Sequence, residues 1–320
     1  MALLPDRIKR QLILNSTRAL PLAARVRIRE ELLGRLEMSR GRRAKYFVIG
    51  HPKSGNTWLR TMISRLYQQR YGLPESLVLK SDELHLANPA CPRFLVTNAL
   101  YSYEGVIGEA MRADRSDAEF RDRRVVLLAR HPCDIAVSWY IQFTKRVSVA
   151  KREMINATLR HPIDHTTIGQ WEFVMNPEIG LPSLIEFLNT WERNLKKVEH
   201  SLITRYEDLR TRPAETLRKI MTFFEQDFSE AEVEAAVAFG SFDNMRQLES
   251  SRVLSRGGFS AYRSDDPETA KVRRGKILGY RNDFSPDKVA EMDRLVAERL
   301  SPTFGYGPEG VAALKSAAAE

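Results

Sequence analysis

Residues 45–58 read KYFVIGHPKSGNTW, an apolar run that ends in glycine and leads into a short polar loop. The residues after the loop, TWLRTMISRLYQQR (57–70), have the composition of a helix. This order predicts a strand, a tight turn and a helix. It recurs at RVVLLARHPCDIAVSWYIQF (124–143), where Val125 to Ala129 predict a buried strand and Pro132 suits a first helical turn. Two such units predict strands of one parallel sheet.

Strands and helices alternate along the rest of the chain. PRFLVTN (92–98) predicts a third strand, and SLITRYEDL (201–209) predicts a fourth that runs into a loop. Three later segments have helical patterns: LPSLIEFLNTWERNLKKV (181–198), RPAETLRKIMTFFEQ (212–226) and SPDKVAEMDRLVAERL (285–300). We therefore predict an α/β fold: a single domain with a central parallel, doubly wound sheet flanked by helices.

The 320 residues divide unevenly in charge. Residues 1–45 contain twelve Lys/Arg against four Asp/Glu, which accounts for +8 of the net +9. We predict a basic helical N-terminal extension (1–44), a domain at 45–305 and a tail (306–320). The extension is interpreted as a surface helix packed on the domain, with contact to a membrane surface or a partner as the alternative. Residues 250–284 lack periodicity and are either a lid or a disordered connection.

Several functional classes are disfavoured by composition. Cys91 and Cys133 are too few for a disulfide framework and lack zinc-ligand spacing, and we expect no metal site. There is no apolar run of membrane-spanning length and no signal-peptide pattern, so a cytoplasmic protein is expected, with peripheral contact to a membrane as the alternative. The basic segment lacks interleaved aromatics, so we expect no nucleic-acid partner.

The loop between the first strand and helix has the chemistry of a phosphate site. Unpaired N–H groups at a helix N-terminus face an incoming anion, and Gly55 permits close backbone approach. Lys53 supplies a positive charge, and the hydroxyls of Ser54 and Thr57 can donate to oxygens. A tight turn capped by Asn56 or Thr57 is the structural alternative.

Two features separate this loop from the nucleotide-triphosphatase P-loop GxxxxGK[ST]. Asn56 stands where that motif has its lysine, and the strand VVLLA ends in Arg130, where a magnesium-dependent enzyme would have an aspartate. An arginine repels a metal ion and binds phosphate. These features favour a metal-independent anionic donor over Mg-ATP. An ATP-dependent kinase and a non-catalytic module remain the alternatives.

A second anion clamp is predicted from Arg130 and Ser138, which lie about two helical turns apart. At this point the chain resembles a known family. PKSGNTW is similar to the 5'-phosphosulfate loop of sulfotransferases that use 3'-phosphoadenosine 5'-phosphosulfate (PAPS), and ARHPCDIAVSW is similar to their 3'-phosphate motif. The resemblance spans roughly residues 45 to 305 and implies a P-loop-like core with PAPS as the sulfuryl donor.

Further residues acquire expected roles through the resemblance. Tyr206 in RYEDL is similar to a tyrosine that contacts adenine, Ser241 and Phe242 to the segment beside the adenine ring, and Arg273-Arg274-Gly275 to the turn that grips the 3'-phosphate. Phe242 or Trp58 could provide the aromatic face for adenine. The expected cofactor-binding residues are Lys53, Ser54, Gly55, Asn56, Thr57, Trp58, Arg130, Ser138, Tyr206, Ser241, Phe242, Arg273, Arg274 and Gly275.

The resemblance implies in-line attack on sulfur, with Lys53 stabilising the departing phosphate. The general base is less certain, because Asn98 stands where the family usually has a histidine. His85 and Glu104 are the candidate bases, ahead of His51; an acceptor that needs no strong base, a shifted alignment and a pseudoenzyme that retains PAPS binding remain open.

The acceptor is expected to be a lipid, a glycan or a small metabolite with a hydroxyl or amine. Aromatic side chains and the tract 145–175 are expected to line or cover its pocket, although core packing explains them equally well. The aromatic residues in question are Tyr101, Tyr103, Trp139, Tyr140 and Phe143.

Overall fold

The computed structural model describes residues 4–79, 82–115, 119–250 and 275–317. Its centre is a sheet of four parallel strands: β1 (Tyr46–Ile49), β2 (Phe94–Thr97), β3 (Arg124–Ala129) and β4 (His200–Arg205). The spatial order is β2-β1-β3-β4, so the chain crosses over the sheet between successive strands.

Helices surround the sheet on both faces. The α-helices of the described residues are α1 (Asp6–Ser16), α2 (Leu22–Arg43), α3 (Asn56–Tyr71), α4 (Glu83–Ala87), α5 (Gly105–Ala110), α6 (Pro132–Ile141), α7 (Val149–Thr158), α8 (Gln170–Met175), α9 (Leu181–Leu195), α10 (Tyr206–Thr211), α11 (Pro213–Phe223), α12 (Glu230–Phe239), α13 (Phe242–Ser250), α14 (Pro286–Arg299) and α15 (Pro308–Ala317). Short 3-10 helices span Ser102–Glu104, Gly279–Asn282 and Pro302–Phe304, and a π-helical turn spans Gln142–Arg146. None of the helices in the described residues is both long and apolar enough to cross a membrane.

Both faces of the sheet are covered by apolar side chains. Successive residues of a strand point to opposite faces, so Phe47 and Ile49 join one core while Tyr46 and Val48 join the other. All four residues of β1 are fully buried, because this strand lies between β2 and β3 under helices on both sides. The predicted α/β fold with a parallel, doubly wound sheet is confirmed.

The carboxyl ends of the four strands meet at one edge of the sheet. The loop 50–55 follows β1, Asn98 follows β2, Arg130 follows β3 and Tyr206 follows β4. In open parallel sheets, ligands bind in the crevice beyond this edge. The sheet topology therefore gathers residues that are far apart in the sequence.

The basic N-terminal segment forms two helices rather than one continuous helix. The break falls between Ser16 and Leu22, because Pro21 takes an extended conformation (φ −53°, ψ 147°) as the N-cap of α2. Arg29 of α2 is buried and donates to the Thr17 hydroxyl at 2.8 Å and to Glu153 at 3.0 Å. The two helices are therefore packed against the rest of the chain.

The segment after residue 305, predicted as a tail, also contributes to the core. Tyr306 is buried and its hydroxyl donates to the Glu207 carboxylate at 2.6 Å. Val311 and Leu314 of α15 pack into the larger apolar cluster. The packed structure thus continues past the domain end that was expected at residue 305.

Candidate active site

A cleft of about 540 Å³ opens at the carboxyl edge of the sheet. Its wall includes Lys53, Gly55, Asn56, Thr57 and Trp58 from the loop and the first turn of α3. It also includes residues that follow each of the other three strands. The cleft is thus where the predicted anion sites meet.

The loop after β1 has an unusual backbone. Gly55, the N-cap of α3, has φ +104°, and Lys53 has φ +80°, a conformation that non-glycine residues seldom adopt. A Cβ atom on Gly55 would lie 2.8 Å from Cδ2 of Tyr206. The loop therefore needs glycine at position 55 both for its φ angle and for the close approach of Tyr206.

Asn56 has a structural role that the sequence motif does not reveal. Its side-chain amide donates to the Gly50 carbonyl at 2.8 Å and to the Asn98 side-chain oxygen at 3.3 Å. It thereby ties the start of α3 to the ends of β1 and β2. Ser54, by contrast, is fully buried and does not line the cleft, so the expectation that its hydroxyl donates to the donor is not supported.

Arg130 reaches the loop from the end of β3. Its guanidinium donates to the Lys53 carbonyl at 3.0 Å and lies over the ring of Tyr206, with 4.2 Å between the guanidinium carbon and the ring centre. Burial disfavours the charged guanidinium, but electrostatic attraction to Tyr206 and Asp134 outweighs burial, so the pKa of Arg130 is raised. Ser138, two turns along α6, lines the same cleft. The structure therefore brings both members of the predicted second clamp to the loop.

Aromatic rings form another part of the cleft wall. Trp58 packs edge-on against Tyr206, with ring centres 5.7 Å apart, and donates to the Gly240 carbonyl at 2.6 Å. The Tyr206 hydroxyl donates to the Gly275 carbonyl at 3.4 Å. A Cβ atom on Gly275 would lie 3.1 Å from Phe242, which also lines the cleft. These rings form an apolar surface beside the loop.

Of the other residues expected near adenine and the 3'-phosphate, one lies outside the cleft lining and two fall outside the described residues. Ser241 is exposed and does not line the cleft, and its hydroxyl accepts from the backbone N–H of Asn244 at the start of α13. Arg273 and Arg274 lie outside the described residues. Arg210 and Lys276, which the sequence analysis missed, line this part of the cleft, and Arg210 donates to the Gly275 carbonyl at 3.2 Å.

Glu104 lies on the opposite wall in a polar network. Its carboxylate accepts from the Asn98 amide at 2.9 Å and from the Lys151 ammonium group at 3.0 Å. Burial works against ionisation, but the charge of Lys151 and the two hydrogen bonds outweigh it and lower the pKa of Glu104. The pKa of Lys151 is raised by the same pair. At neutral pH the site therefore holds a carboxylate and an ammonium group, linked through Asn98 to Asn56 of the loop.

The two candidate histidines lie elsewhere. His85 of α4 has its Nδ1 atom 2.7 Å from the Cys91 carbonyl and does not line the cleft, so the expectation that it reaches in from the acceptor side is not supported. His51 is fully buried among the rings of Tyr101, Trp139 and Phe187, and burial lowers its pKa to about 3. His51 is thus a neutral residue of the core.

The aromatic residues expected around the acceptor divide into two groups. Tyr103 and Trp139 line the cleft, whereas Tyr101, Tyr140 and Phe143 do not; these three pack with Trp139 in one apolar cluster. From the tract 145–175, four residues reach the cleft wall: Arg146, Val147, Ser148 and Lys151. Three more cations, Arg10, Arg40 and Arg60, line it and were not predicted.

Comparison with known proteins agrees with this geometry. The model of the sulfotransferase domain matches residues 43–304, most of the chain. The chain belongs to the sulfotransferase domain family. The resemblance, the enzyme class and the P-loop-like fold expected from the sequence are thereby confirmed.

Characterised relatives are distant but cover most of this sulfotransferase. It is 23% identical over 273 residues to cytosolic sulfotransferase 10 of Arabidopsis thaliana, an alignment that covers 78% of this chain and 75% of that protein. It is 24% identical over 272 residues to flavonol 3-sulfotransferase of Flaveria bidentis, with coverage of 80% and 82%. Among solved structures it is similar to a mouse sulfotransferase complexed with 3'-phosphoadenosine 5'-phosphate (PAP). The TM-score is 0.53 at 19% identity, and the alignment covers 90% of this chain and 92% of that one.

Proposed function

We propose that this sulfotransferase uses PAPS to sulfate a hydroxyl or amine of its acceptor, with the donor bound by the loop after β1 and by Arg130. The observation that carries the proposal is the hydrogen bond from the Arg130 guanidinium to the Lys53 carbonyl, which joins two anion-binding segments in one cleft. A donor with a 5'-phosphosulfate and a separate 3'-phosphate needs two such segments. The PAP complex of the mouse relative supports the same donor.

The roles of the donor-binding residues follow from their positions. Lys53 and the amides of the loop bind the 5'-phosphosulfate, and Arg130 and Ser138 bind the 3'-phosphate. Trp58, Tyr206 and Phe242 form the aromatic surface for adenine. Gly275 brings the backbone close to Phe242, and Arg273 and Arg274 are proposed to reach the 3'-phosphate by the resemblance alone.

The transfer step needs a base and a stabilised leaving group. The acceptor oxygen or nitrogen attacks sulfur, the bond from sulfur to the bridging phosphate oxygen breaks, and PAP departs with the electron pair. Lys53 stabilises the charge that grows on that phosphate. The Glu104 carboxylate takes the acceptor proton, because it is ionised at neutral pH and Asn98 links it to the loop. The proposed mechanism uses no metal ion.

The donor proposal is tested by thermal unfolding of the purified enzyme with PAP, and separately with ATP and magnesium. At a concentration of a hundred times its Kd, PAP should increase the free energy of unfolding by about 2.7 kcal/mol and thereby raise the Tm. We expect Mg-ATP to have little effect on the Tm. Arg130→Gln should weaken the PAP response, whereas Arg218→Gln, on the exposed face of α11, should not. A response to Mg-ATP alone would favour a kinase.

The base proposal is tested by Glu104→Gln. The amide can still accept the hydrogen bonds of the wild-type residue but cannot take a proton, so kcat should fall by about a hundredfold to ten-thousandfold with PAP affinity retained. The matched control is Glu109→Gln, an exposed acid on α5 that does not line the cleft. Full turnover by Glu104→Gln would assign the base elsewhere.

The location and boundaries of the enzyme are also proposals. A catalytic domain at 45–305 is supported by the family match, with 1–44 as an extension that packs on it and 306–320 as a C-terminal segment. A cytoplasmic location is supported by the cytosolic relative and by Cys91 and Cys133, which are both free and buried. No nucleic-acid partner is proposed.

Peripheral contact with a membrane is proposed through α1. Leu4, Ile8 and Leu12 are spaced four residues apart and expose 49%, 39% and 54% of their surface. The exposed Arg7 lies beside this apolar stripe. An apolar stripe flanked by positive charge is typical of helices that lie on anionic membranes.

A further inference from the structure

The part of the cleft around Tyr103 is lined by four cations from four helices. They are Arg10 of α1, Arg40 of α2, Arg60 of α3 and Lys151 of α7, and we call them the basic chamber. The Arg10 guanidinium carbon lies 5.4 Å and the Lys151 ammonium nitrogen 5.9 Å from the centre of the Tyr103 ring. A wall with this much positive charge attracts anions.

Arg40 and Lys151 have carboxylate partners, and the charge of Glu83 acts on Arg60. Arg40 pairs with Glu37 at 2.6 Å, but Glu37 is buried and does not line the cleft. Glu104 does line it and neutralises one of the four cations. Arg10 donates to the phenol of Tyr103 and forms no ion pair with a carboxylate of the described residues. Arg10 thus presents a positive charge to the cleft.

Burial disfavours the charge of all four cations, but neighbouring acidic groups outweigh it at Arg10, Arg40 and Lys151, whose pKa values are raised. Burial, together with the charge of Arg40, lowers the pKa of Arg60 to about 10, although Glu83 acts in the opposite direction. Like charges that are brought together out of water disfavour each other's ionised form. A bound anion would further favour the charged form of these groups.

The donor does not account for the basic chamber. In the proposed function its phosphates are bound by Lys53 and Arg130, at the ends of β1 and β3. The chamber instead surrounds Glu104, the proposed base, through Lys151 and Tyr103. It therefore faces the acceptor.

We infer that the acceptor carries an anionic group, a carboxylate or a phosphate, near the hydroxyl or amine that is sulfated, and that the basic chamber binds this anion. The inference rests on the proposed function, because it places the acceptor beside Glu104. Guanidinium groups suit both anions, since their planar N–H donors match two oxygens at once.

The first experiment identifies the charge of the acceptor. Cell extract is divided into aqueous and lipid fractions, and each is separated on an anion exchanger before incubation with the enzyme and sulfur-labelled PAPS. We expect the label in material that the exchanger retains. Label in the aqueous fraction would indicate a water-soluble acceptor, and label in the lipid fraction would indicate a lipid headgroup. Label only in unretained material would overturn the inference while leaving the proposed function intact.

The second experiment tests Arg10 with the labelled acceptor. Arg10→Gln should raise KM by about tenfold to a hundredfold, as expected for loss of a hydrogen bond to a charged group, with little change in kcat. Arg10→Lys should restore part of the affinity. Arg18→Gln, an exposed arginine between α1 and α2 that does not line the cleft, is the matched control. Equal KM values for Arg10→Gln and Arg18→Gln would contradict the inference.

A third measurement needs no turnover. The enzyme saturated with PAP, whose phosphates fill the donor sites, is titrated with inorganic phosphate at constant ionic strength while the Tm is followed. We expect the Tm of the wild type and of Arg18→Gln to rise more than that of Arg10→Gln. Identical responses in all three would contradict the basic chamber, whereas failure of PAP itself to bind would contradict the proposed function.

Discussion

Glu104 and Lys151 form an ion pair in which both side chains are largely withdrawn from water, with 13% and 22% of their surface exposed. Burial alone would raise the pKa of a carboxyl group, and the ammonium group reverses this effect. The protonation state of the proposed base therefore depends on one neighbouring residue. This dependence can be measured as a pH profile.

Lys151→Met should shift the acid limb of the kcat/KM profile to higher pH. Without the positive charge, burial raises the pKa of Glu104, so the carboxylate is protonated at a pH where the wild-type enzyme still works. In the wild type, activity should persist to below pH 4.5, the ordinary value for this group, as far as the fold survives. The measurement is kcat/KM against pH, with Lys145→Met as the control because Lys145 is exposed and does not line the cleft. An unchanged acid limb would show that Glu104 does not control the reaction.

Gly55→Ala should impair both stability and PAP binding. The φ angle of +104° strains any side-chain-bearing residue, by about 1–3 kcal/mol, and the new methyl group would also press on the ring of Tyr206. Gly72→Ala is the control, because Gly72 also has a positive φ of +60° but nothing lies within 4 Å of the added atom. Urea unfolding measures the free energy of unfolding of both variants, and titration measures their affinity for PAP. Equal decreases in both quantities for the two variants would show that contact with Tyr206 is unimportant.

At the level of the helices and strands, α2 is held by buried charges as well as by apolar contacts. Arg25 and Arg29 both pair with Glu153 of α7, at 2.6 Å and 3.0 Å, and the Arg29 side chain is only 5% exposed. The pairing fastens the N-terminal helices to the wall that carries Lys151. These helices are therefore part of the acceptor side of the cleft.

Glu153→Gln should destabilise the protein by about 1–3 kcal/mol, because it leaves the buried guanidinium of Arg29 without a compensating charge. The matched control is Glu31→Gln, which removes an ion pair to Arg35 on the solvent-facing side of α2, with both partners more than half exposed. A surface pair of this kind contributes at most about 1 kcal/mol. Urea unfolding measures the free energy of unfolding of both variants. Similar decreases for Glu153→Gln and Glu31→Gln would indicate that the extension is held only by its apolar side chains.

The strands could be predicted from the sequence because buried parallel strands are continuous apolar runs bounded by glycine or polar residues. All four predicted strands occur, and residues after their carboxyl ends form the cleft. The loop glycine and Arg130 could be predicted for the same reason, because they follow strand ends, whereas Glu104 lies in the 3-10 helix after β2 and was suggested by the family resemblance. The break before α2 was missed, although Pro21 is the kind of residue that marks one.

Other site residues could not be predicted, because their positions depend on tertiary packing. Arg10 faces the cleft only because α1 packs beside Tyr103, and no local pattern indicates which face of a basic helix turns inward. Ser54 is fully buried and does not line the cleft, which no local pattern in the loop sequence indicates. Arg60 carried a usable signal: it lies four residues after Asn56, one turn along the same face of α3.

At the level of the whole molecule, the exposed apolar stripe of Leu4, Ile8 and Leu12 predicts that the enzyme associates with membranes. Vesicles with anionic headgroups should bind the enzyme, and Ile8→Asp should weaken binding because it places a negative charge in the apolar stripe. Leu86→Asp is the control, since Leu86 of α4 is similarly exposed at 57% but lies outside the basic segment. Co-sedimentation at low and high salt measures the effect. Equal binding of neutral and anionic vesicles would contradict the role of Arg7.

The two sides of the cleft come from different parts of the chain. The donor side is formed by loops at the strand ends, which the sheet holds in fixed relative positions, whereas α1, α2 and α7 supply Arg10, Arg40 and Lys151 to the acceptor side. Substitutions in these helices can alter which compound is sulfated without disturbing the nucleotide site. Substrate range can therefore diverge during evolution while the sulfuryl-transfer chemistry stays the same.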